Sequence, residues 1–352
     1  MVRFLLRSGG RRAVACLIAL LGLGAIAARA EEPLLVLEQK IPLGKVNGRI
    51  DHLAIDLERQ RLFVAELGNN RIGVVDLKSG TLLRNLSGLN KPQGVAYLKS
   101  SDTLYVANGG DGSVELFQGA DLLPAGRIEL GEDADNIRVD KASGNAYVGY
   151  GHGAIAVIDP ARRAKIADIA LPAHPEGFHI ANASGQVFVN LPDARQIAVV
   201  DAPQKMLKVA WAINDRDGNF PMALDESAER VLVAFRKPAK LEAFDMRNGA
   251  LVASTDSCGD ADDLFVDAKR RRVYVSCGDG FVDVFEMHRE RYVRIEHVPT
   301  SLGARTSLFV PELDRLFVAV RATWSEPAAI WVYKAQAGLF EARQGARGAP
   351  RE

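Results

Sequence analysis

Cysteine is scarce in this chain, with three in 352 residues. Histidine, with six, and aromatic residues, at 7%, are sparse too. The signatures built from reactive side chains are missing as well. There is no Cys-x-x-Cys pair, no Cys-x-x-Cys-His haem attachment, no Gly-x-Ser-x-Gly elbow and no Walker phosphate loop. Helical periodicity is absent throughout, which removes helical bundles and α/β folds. Beyond Ala30 no apolar run approaches the ~20 residues of a spanning helix, so membrane insertion is not expected. Excess positive charge is lacking too. Lys and Arg number 44, Asp and Glu 44, and five of the arginines lie in the first thirty residues. Without those thirty the balance is 39 to 44, a formal charge of −5, which is a poor basis for neutralising phosphates and argues against a nucleic-acid partner.

The first thirty residues read as an export signal. Arg3, Arg7, Arg11 and Arg12 precede a fifteen-residue apolar stretch, Ala13 to Ala27, and Ala28-Arg29-Ala30 supplies a small-x-small cleavage pattern. Cys16 lies before most of the apolar stretch, where a lipoprotein cysteine would follow it, so no lipid anchor is expected. Arg11-Arg12 raises the twin-arginine route, but its flanks match that motif poorly. Residues 1–30 are expected to be a signal peptide, 31–335 one domain, and 336–352 a frayed tail. The mature protein is expected in the periplasm as a soluble monomer.

What is present is a repeat. Seven segments place an aromatic residue or leucine among small and β-branched neighbours: LFVAE (62–66), LYVAN (104–108), AYVGY (146–150), VFVNL (187–191), VLVAF (231–235), VYVSC (273–277) and LFVAV (316–320). Their anchors, Phe63, Tyr105, Tyr147, Phe188, Leu232, Tyr274 and Phe317, are spaced by 42, 42, 41, 44, 42 and 43 residues. Each segment is followed by a second apolar strand, such as IGVVD or IAVVD, and preceded by another, such as HLAID or NIRVD. Asp76, Asp159, Asp201 and Asp245 end four of the following strands, where a carboxylate can bond the backbone of the next turn. Four strands per repeat of this length is the pattern of propeller blades. The expected fold is all-β, a seven-bladed β-propeller of four-stranded blades. The seventh blade runs out of chain one strand short, and an unassigned strand, LLVLEQKIPL (34–43), precedes the first. That N-terminal strand should complete the last blade and close the ring.

The YVAN, YVGY and YVSC segments resemble the repeat of the YVTN (YncE-like) family of secreted bacterial β-propellers, from about Leu34 to Lys334. The resemblance implies the propeller fold and an exported location. It leaves binding, scaffolding and enzymatic roles open.

In up-and-down blades the turns alternate between two faces. The turns inside each repeat, such as KASG and NASG, are generic. The opposite face receives GKVNGRIDH, GEDADN, HPEGFH, RDGNFP, CGDADD and LGARTS, and a site belongs there. Counting back twelve residues from each anchor, and eleven in the seventh blade, gives a column at the head of the innermost strands. It holds Asp51, Gln93, Asp135, Glu176, Phe220, Asp262 and Thr306. The two Asp-Ala-Asp phrases fall on equivalent loops of blades 3 and 6. Four carboxylates facing one channel repel unless compensated. Solvated turns explain any one of them, and Arg49, Lys91, Arg236, Lys237, Arg305 and Arg321 could pair with them. Alternatively Asp51, His52, Asp135, Glu176 and Asp262 hold a divalent cation, with Asp51, Asp135, Glu176 and Asp262 as its expected ligands. Oxygen ligands with at most one or two histidines suit calcium, magnesium or manganese better than copper, while zinc would need more His or Cys.

The expected ligand-binding residues are Arg49, Asp51, His52, Gln93, Asp135, Asn136, Glu176, Asp262, Asp263 and Arg305. His52 and His152 are the candidates for moving protons. In HPEGFH, His174 and Glu176 should share a face while His179 points away. Cys258 and Cys277 fall on one face of blade 6, and in an oxidising compartment a Cys258–Cys277 disulfide is expected, with metal ligation as the alternative. Arg321 and Trp324 lie on the longest loop of the functional face. Two functions fit: a module binding a small molecule or a periplasmic protein, or a metal-dependent hydrolase or lyase of lactonase-like type.

Overall fold

The computed structural model describes residues 32–288 and 290–337. The expected signal peptide and most of the expected tail lie outside the described residues. The strands form seven four-stranded antiparallel sheets, each a blade of one propeller. Blade 1 comprises Leu53–Asp56, Arg61–Glu66, Arg71–Asp76 and Thr81–Ser87, running from the central channel outward. Blades 2 to 6 repeat this order. The anchor of each repeat sits in the second strand, and all seven anchors are buried.

Blade 7 takes three strands from the C-terminal end, Ser307–Val310, Arg315–Val320 and Ala329–Ala335. Its outer strand is Leu35–Pro42, paired antiparallel to Ala329–Ala335. Closure therefore falls where the strand count placed it. Every outer strand carries a one-residue register shift against its neighbour, for example between Val74 and Val75 in blade 1 and between Leu37 and Gln39 in blade 7. A bulge of this kind twists an edge strand and makes it a poorer template for another chain.

The core is divided into seven apolar clusters, each lying between two neighbouring blades. Leu62, Val64, Phe317 and Ile330 join blades 1 and 7, while Tyr147, Phe178 and Val189 join blades 3 and 4. Period-2 strands dictate this arrangement, because each blade must bury both of its faces. The turn aspartates act as expected. Asp76 Oδ1 accepts from Lys78 N at 2.9 Å, Asp159 Oδ1 from Ala161 N at 2.8 Å and Asp245 Oδ1 from Arg247 N at 2.9 Å. In Asp201 the bond reaches one residue further, to Gln204 N, at 2.9 Å. Among the described residues no helix is long and apolar enough to cross a membrane.

Candidate functional site

Strand pairing fixes the column at the channel mouth. The backbone N–H of Asp51 donates to Ala65 O at 2.7 Å, that of Asp135 to Gly149 O at 2.9 Å, and that of Glu176 to Asn190 O at 3.0 Å. Each acceptor lies two residues past its anchor. In blade 7 the equivalent ladder bond, Ala319 N to Thr306 O, matches Ala65 N to His52 O. Thr306 is thus one position further into the strand than expected, and Arg305 holds the column place. The count of eleven fails because the pairing register, not the loop length, sets the position. The column is Asp51, Gln93, Asp135, Glu176, Phe220, Asp262 and Arg305.

Around this column lies a polar basin of about 410 Å³, lined by Arg49, Gln93, Asp135, His174, Glu176, Phe220, Arg236, Asp262 and Arg305 among others. Below it the central channel holds a second cavity of about 360 Å³, which His52, Asn136, Arg138, His179 and Asp263 help to line.

The four carboxylates of the column are not equivalent. Asp51 is 1% exposed and meets Arg49 Nη2 at 2.9 Å. Asp262 is clamped from both sides, by Arg236 Nη2 at 2.6 Å and Arg305 Nε at 3.0 Å. The same two arginines reach Asp260, at 3.2 Å from Arg236 Nε and 2.8 Å from Arg305 Nη1. Arg236 belongs to blade 5, the two aspartates to blade 6 and Arg305 to blade 7, so the clamp ties three blades. Arg236 also lies over the Phe220 ring, 3.9 Å from its centre, where a cation gains from the aromatic face. The four-carboxylate cation set expected from the sequence is therefore split, with two members already paired to arginine.

Asp135 and Glu176 have a different surrounding. His174 Nε2 lies 4.0 Å from Asp135 Oδ2, and one ligand atom from each of Asp135, His174 and Glu176 falls within 4.8 Å of the others. Burial raises the Glu176 carboxyl to about 8, aided by the charges of Asp135, Asp262 and Asp51 and opposed by His174. Burial works against the His174 cation. The Asp135 carboxylate, the Gly151 carbonyl and the Glu176 charge outweigh it and lift the imidazole to about 9. The backbone here is fixed by close approach. A Cβ on Gly94 would fall 1.9 Å from the Asp135 carbonyl oxygen, so only glycine lets blades 2 and 3 meet there.

His52 sits inside the channel mouth, with Nε2 at 3.7 Å from Asp51 Oδ1 and Nδ1 at 3.7 Å from Asp263 Oδ1. Burial opposes its charge, but Asp263, Asp51 and Asp135 raise it above its ordinary value. Burial pushes the Asp263 carboxyl up to about 7, against the pull of His52 and of the Ser307 N–H. His152 is at the rim, with its side chain 98% exposed and Nε2 at 3.2 Å from Glu132 Oε2. Gln93 Nε2 donates to Asp133 Oδ1 at 3.2 Å. Trp324 is 99% exposed on the last loop of blade 7.

Two channel residues escaped the sequence reading. His179 lines the channel instead of pointing away, because Glu176 and Gly177 both face Asn190 across the ladder and this bulge breaks strict alternation before the strand. Burial, together with the Arg138 charge, holds its imidazole down at about 3, so it is neutral. Arg138 and His179 each follow a column residue by three places, where the other blades carry Ala54, Ala96, Ala223, Phe265 and Leu308. Polar residues at that otherwise apolar place were the available signal.

Cys258 and Cys277 are joined by a disulfide, with Cα atoms 5.8 Å apart. The bond tethers the loop that presents Asp260 and Asp262, and Asp283 Oδ2 accepts from Cys258 N at 2.8 Å beside it. Replacing both cysteines with alanine is expected to cost about 3 kcal/mol, the entropy of a short closed loop, given a sequence separation of 19. Thermal melting of the oxidised wild type beside the variant reads this. Equal melting temperatures would sink it.

The architecture defines a seven-bladed β-propeller, and the comparisons agree. Similar solved structures include Kuenenia stuttgartiensis hydrazine synthase, at 16% identity over 84% of this chain and 96% of that one, with a TM-score of 0.68. A chain of the mitotic checkpoint complex matches at 14% identity over 91% and 98%, with a TM-score of 0.72. The RRP9 WD40 repeats match at 10% identity over 85% and 97%, with a TM-score of 0.73. No protein-family model and no curated protein sequence matches the chain. At such identities the likeness concerns the fold alone.

Proposed function

We propose that the chain is an exported, monomeric periplasmic propeller of the YVTN (YncE-like) type. Its mouth basin binds a small anionic molecule carrying a carboxylate or phosphate group. The leader-like first thirty residues and the YVAN, YVGY and YVSC segments support the compartment and type. One observation carries the ligand class. Arg49, Arg236 and Arg305 line the basin from blades 1, 5 and 7 and pair with Asp51, Asp260 and Asp262, and Arg321 lies close enough to feel the charges of Arg305 and Arg49. Arg321 has no ion pair among the described residues, and its Nε is buried without a hydrogen-bond partner. Burial lowers its pKa, and so do the neighbouring charges of Arg305 and Arg49. A guanidinium in that setting favours a planar anion that can take two of its N–H groups. The mitotic checkpoint complex, an assembly containing a similar propeller, supports a binding role in general terms.

Calorimetric titration of chelator-treated protein with dicarboxylates, hydroxy acids and inorganic phosphate tests this. At least one probe is expected to bind with a micromolar Kd, weakened tenfold or more by Arg321→Met. Failure of every probe, or binding indifferent to Arg321, overturns the proposal.

A metal-dependent hydrolase or lyase, lactonase-like, is the second reading, favoured by the grouping of Asp135, His174 and Glu176 beside the same basin. In it the exposed His152 would exchange protons with solvent more readily than His52, which is enclosed by Asp51 and Asp263. Lactone hydrolysis by metal-supplemented protein, measured against an Asp135→Asn variant, separates the two readings.

A further inference from the structure

The wall opposite the arginines carries a second site. We infer that Asp135, His174 and Glu176 bind one divalent first-row transition ion, of the manganese-to-zinc class. The site deepens the reading above by sharing its basin, but uses none of its arginines.

Four observations converge. The first is spacing: the 4.0 Å between His174 Nε2 and Asp135 Oδ2 is about twice the ~2.0–2.1 Å of a metal–ligand bond. An ion between them reaches both atoms, and Glu176 closes the group within 4.8 Å. The second is orientation. The other nitrogen of His174, Nδ1, hydrogen-bonds the Gly151 carbonyl oxygen at 2.5 Å. With Nδ1 as the donor in that bond, an ion that displaces the Nε2 proton meets a lone pair facing the carboxylates, the arrangement that fixes metal-binding imidazoles. Pro175, packed against Gly149, stiffens the loop between the two ligands of blade 4.

The third observation concerns competition. Arg49 occupies Asp51, and Arg236 and Arg305 occupy Asp262. Among the described residues, no lysine or arginine forms an ion pair with Asp135 or Glu176, so two carboxylates face one another with only His174 between. The fourth is independent of these three. Asn136 is 3% exposed and lines the channel cavity together with Asp135 and Glu176. Its Oδ1 is buried with no hydrogen-bond partner. A buried amide oxygen without a donor is costly, and a cation beside it would satisfy it. One imidazole with two carboxylates selects a borderline ion over calcium, which prefers six to eight oxygens. The set keeps Asp135 and Glu176 of the expected group and replaces Asp51 and Asp262, which are paired to arginine, with His174.

The test is titration of the chelator-stripped full chain with manganese and with zinc chloride by calorimetry. Cobalt(II) absorption reports on the imidazole ligand. The expected result is one ion per chain with a Kd of micromolar or below. Glu176→Gln and His174→Gln should each weaken it at least a hundredfold, and His174→Gln should alter the cobalt spectrum. Melting curves of the metal-free variants, close to wild type, show that folding is intact. No saturable binding below millimolar in the wild type, or binding that survives both substitutions, overturns the site. The metal titration contains no organic anion and the anion titration contains no metal, so either proposal can fail while the other stands.

Discussion

Removing residues 32–42 should leave a chain that no longer melts cooperatively near the wild-type temperature. The deleted strand pairs with Ala329–Ala335 at seven positions from Leu35 to Pro42. Each ladder bond is worth about 1 kcal/mol net. The strand also buries Leu35 and Ile41, at about 1.5–3 kcal/mol each. Lys40 lies 3.9 Å over the Trp331 ring, adding a smaller term. Together these approach the ~5–15 kcal/mol that separates most folded domains from their unfolded chains. The deletion also bares the edge of Ala329–Ala335, so aggregation should accompany the loss.

A milder variant, Ile41→Ala, should cost about 2–4 kcal/mol by opening a cavity against Leu62 and Ile330. Circular dichroism melts read both variants, and a synthetic peptide covering 32–44, added in trans, should restore part of the deletion's loss. A truncated chain with wild-type melting would mean that blade 7 stands on three strands.

The ring was legible because every blade repeats one requirement. A large side chain such as Phe63 or Tyr274 must fill the gap between neighbouring sheets, and its recurrence counts the blades. Closure was legible for the same reason, since the three strands from Ser307 to Ala335 leave the last blade one strand short. The site was legible only in part. Asp51, Asp135, Glu176 and Asp262 do stand at equivalent places, because strand register carries position from blade to blade. Their chemistry depends on residues in other blades that no local spacing connects. Arg236 and Arg305 converge on Asp262 from opposite sides, whereas Asp135, its counterpart in the other Asp-Ala-Asp phrase, meets His174 from the next blade. The twin phrases therefore play opposite parts, one neutralised by arginine and one left facing an imidazole. Thr306 was misplaced by a fixed offset and His179 by strict alternation, because ladder pairing sets the first and the bulge of Glu176 and Gly177 against Asn190 breaks the second.

Arg305→Met should both destabilise the ring and weaken anion binding, and the two losses have one cause. Methionine keeps much of the length and apolar stem but removes the charge. Asp260 and Asp262 then share Arg236 alone. Asp262 is largely buried, and stripping one partner from a buried carboxylate costs a few kcal/mol. The remaining Arg236 contact offsets part of that, so about 2–3 kcal/mol is expected, a fall of roughly 5 °C or more in Tm. Arg321 would also lose a like-charged neighbour, which relieves its own strain and offsets a little more. Combining Arg305→Met with Asp262→Asn should recover about 1–3 kcal/mol relative to the sum of the single changes, as for any directly coupled pair. The anion should bind at least tenfold more weakly, because the wall of blades 5, 7 and 1 then carries three guanidiniums against three carboxylates. Simple additivity of the two substitutions would show that Arg305 does not clamp Asp262. Unchanged anion affinity with a lowered Tm would confine Arg305 to structure and leave Arg321 to act without it.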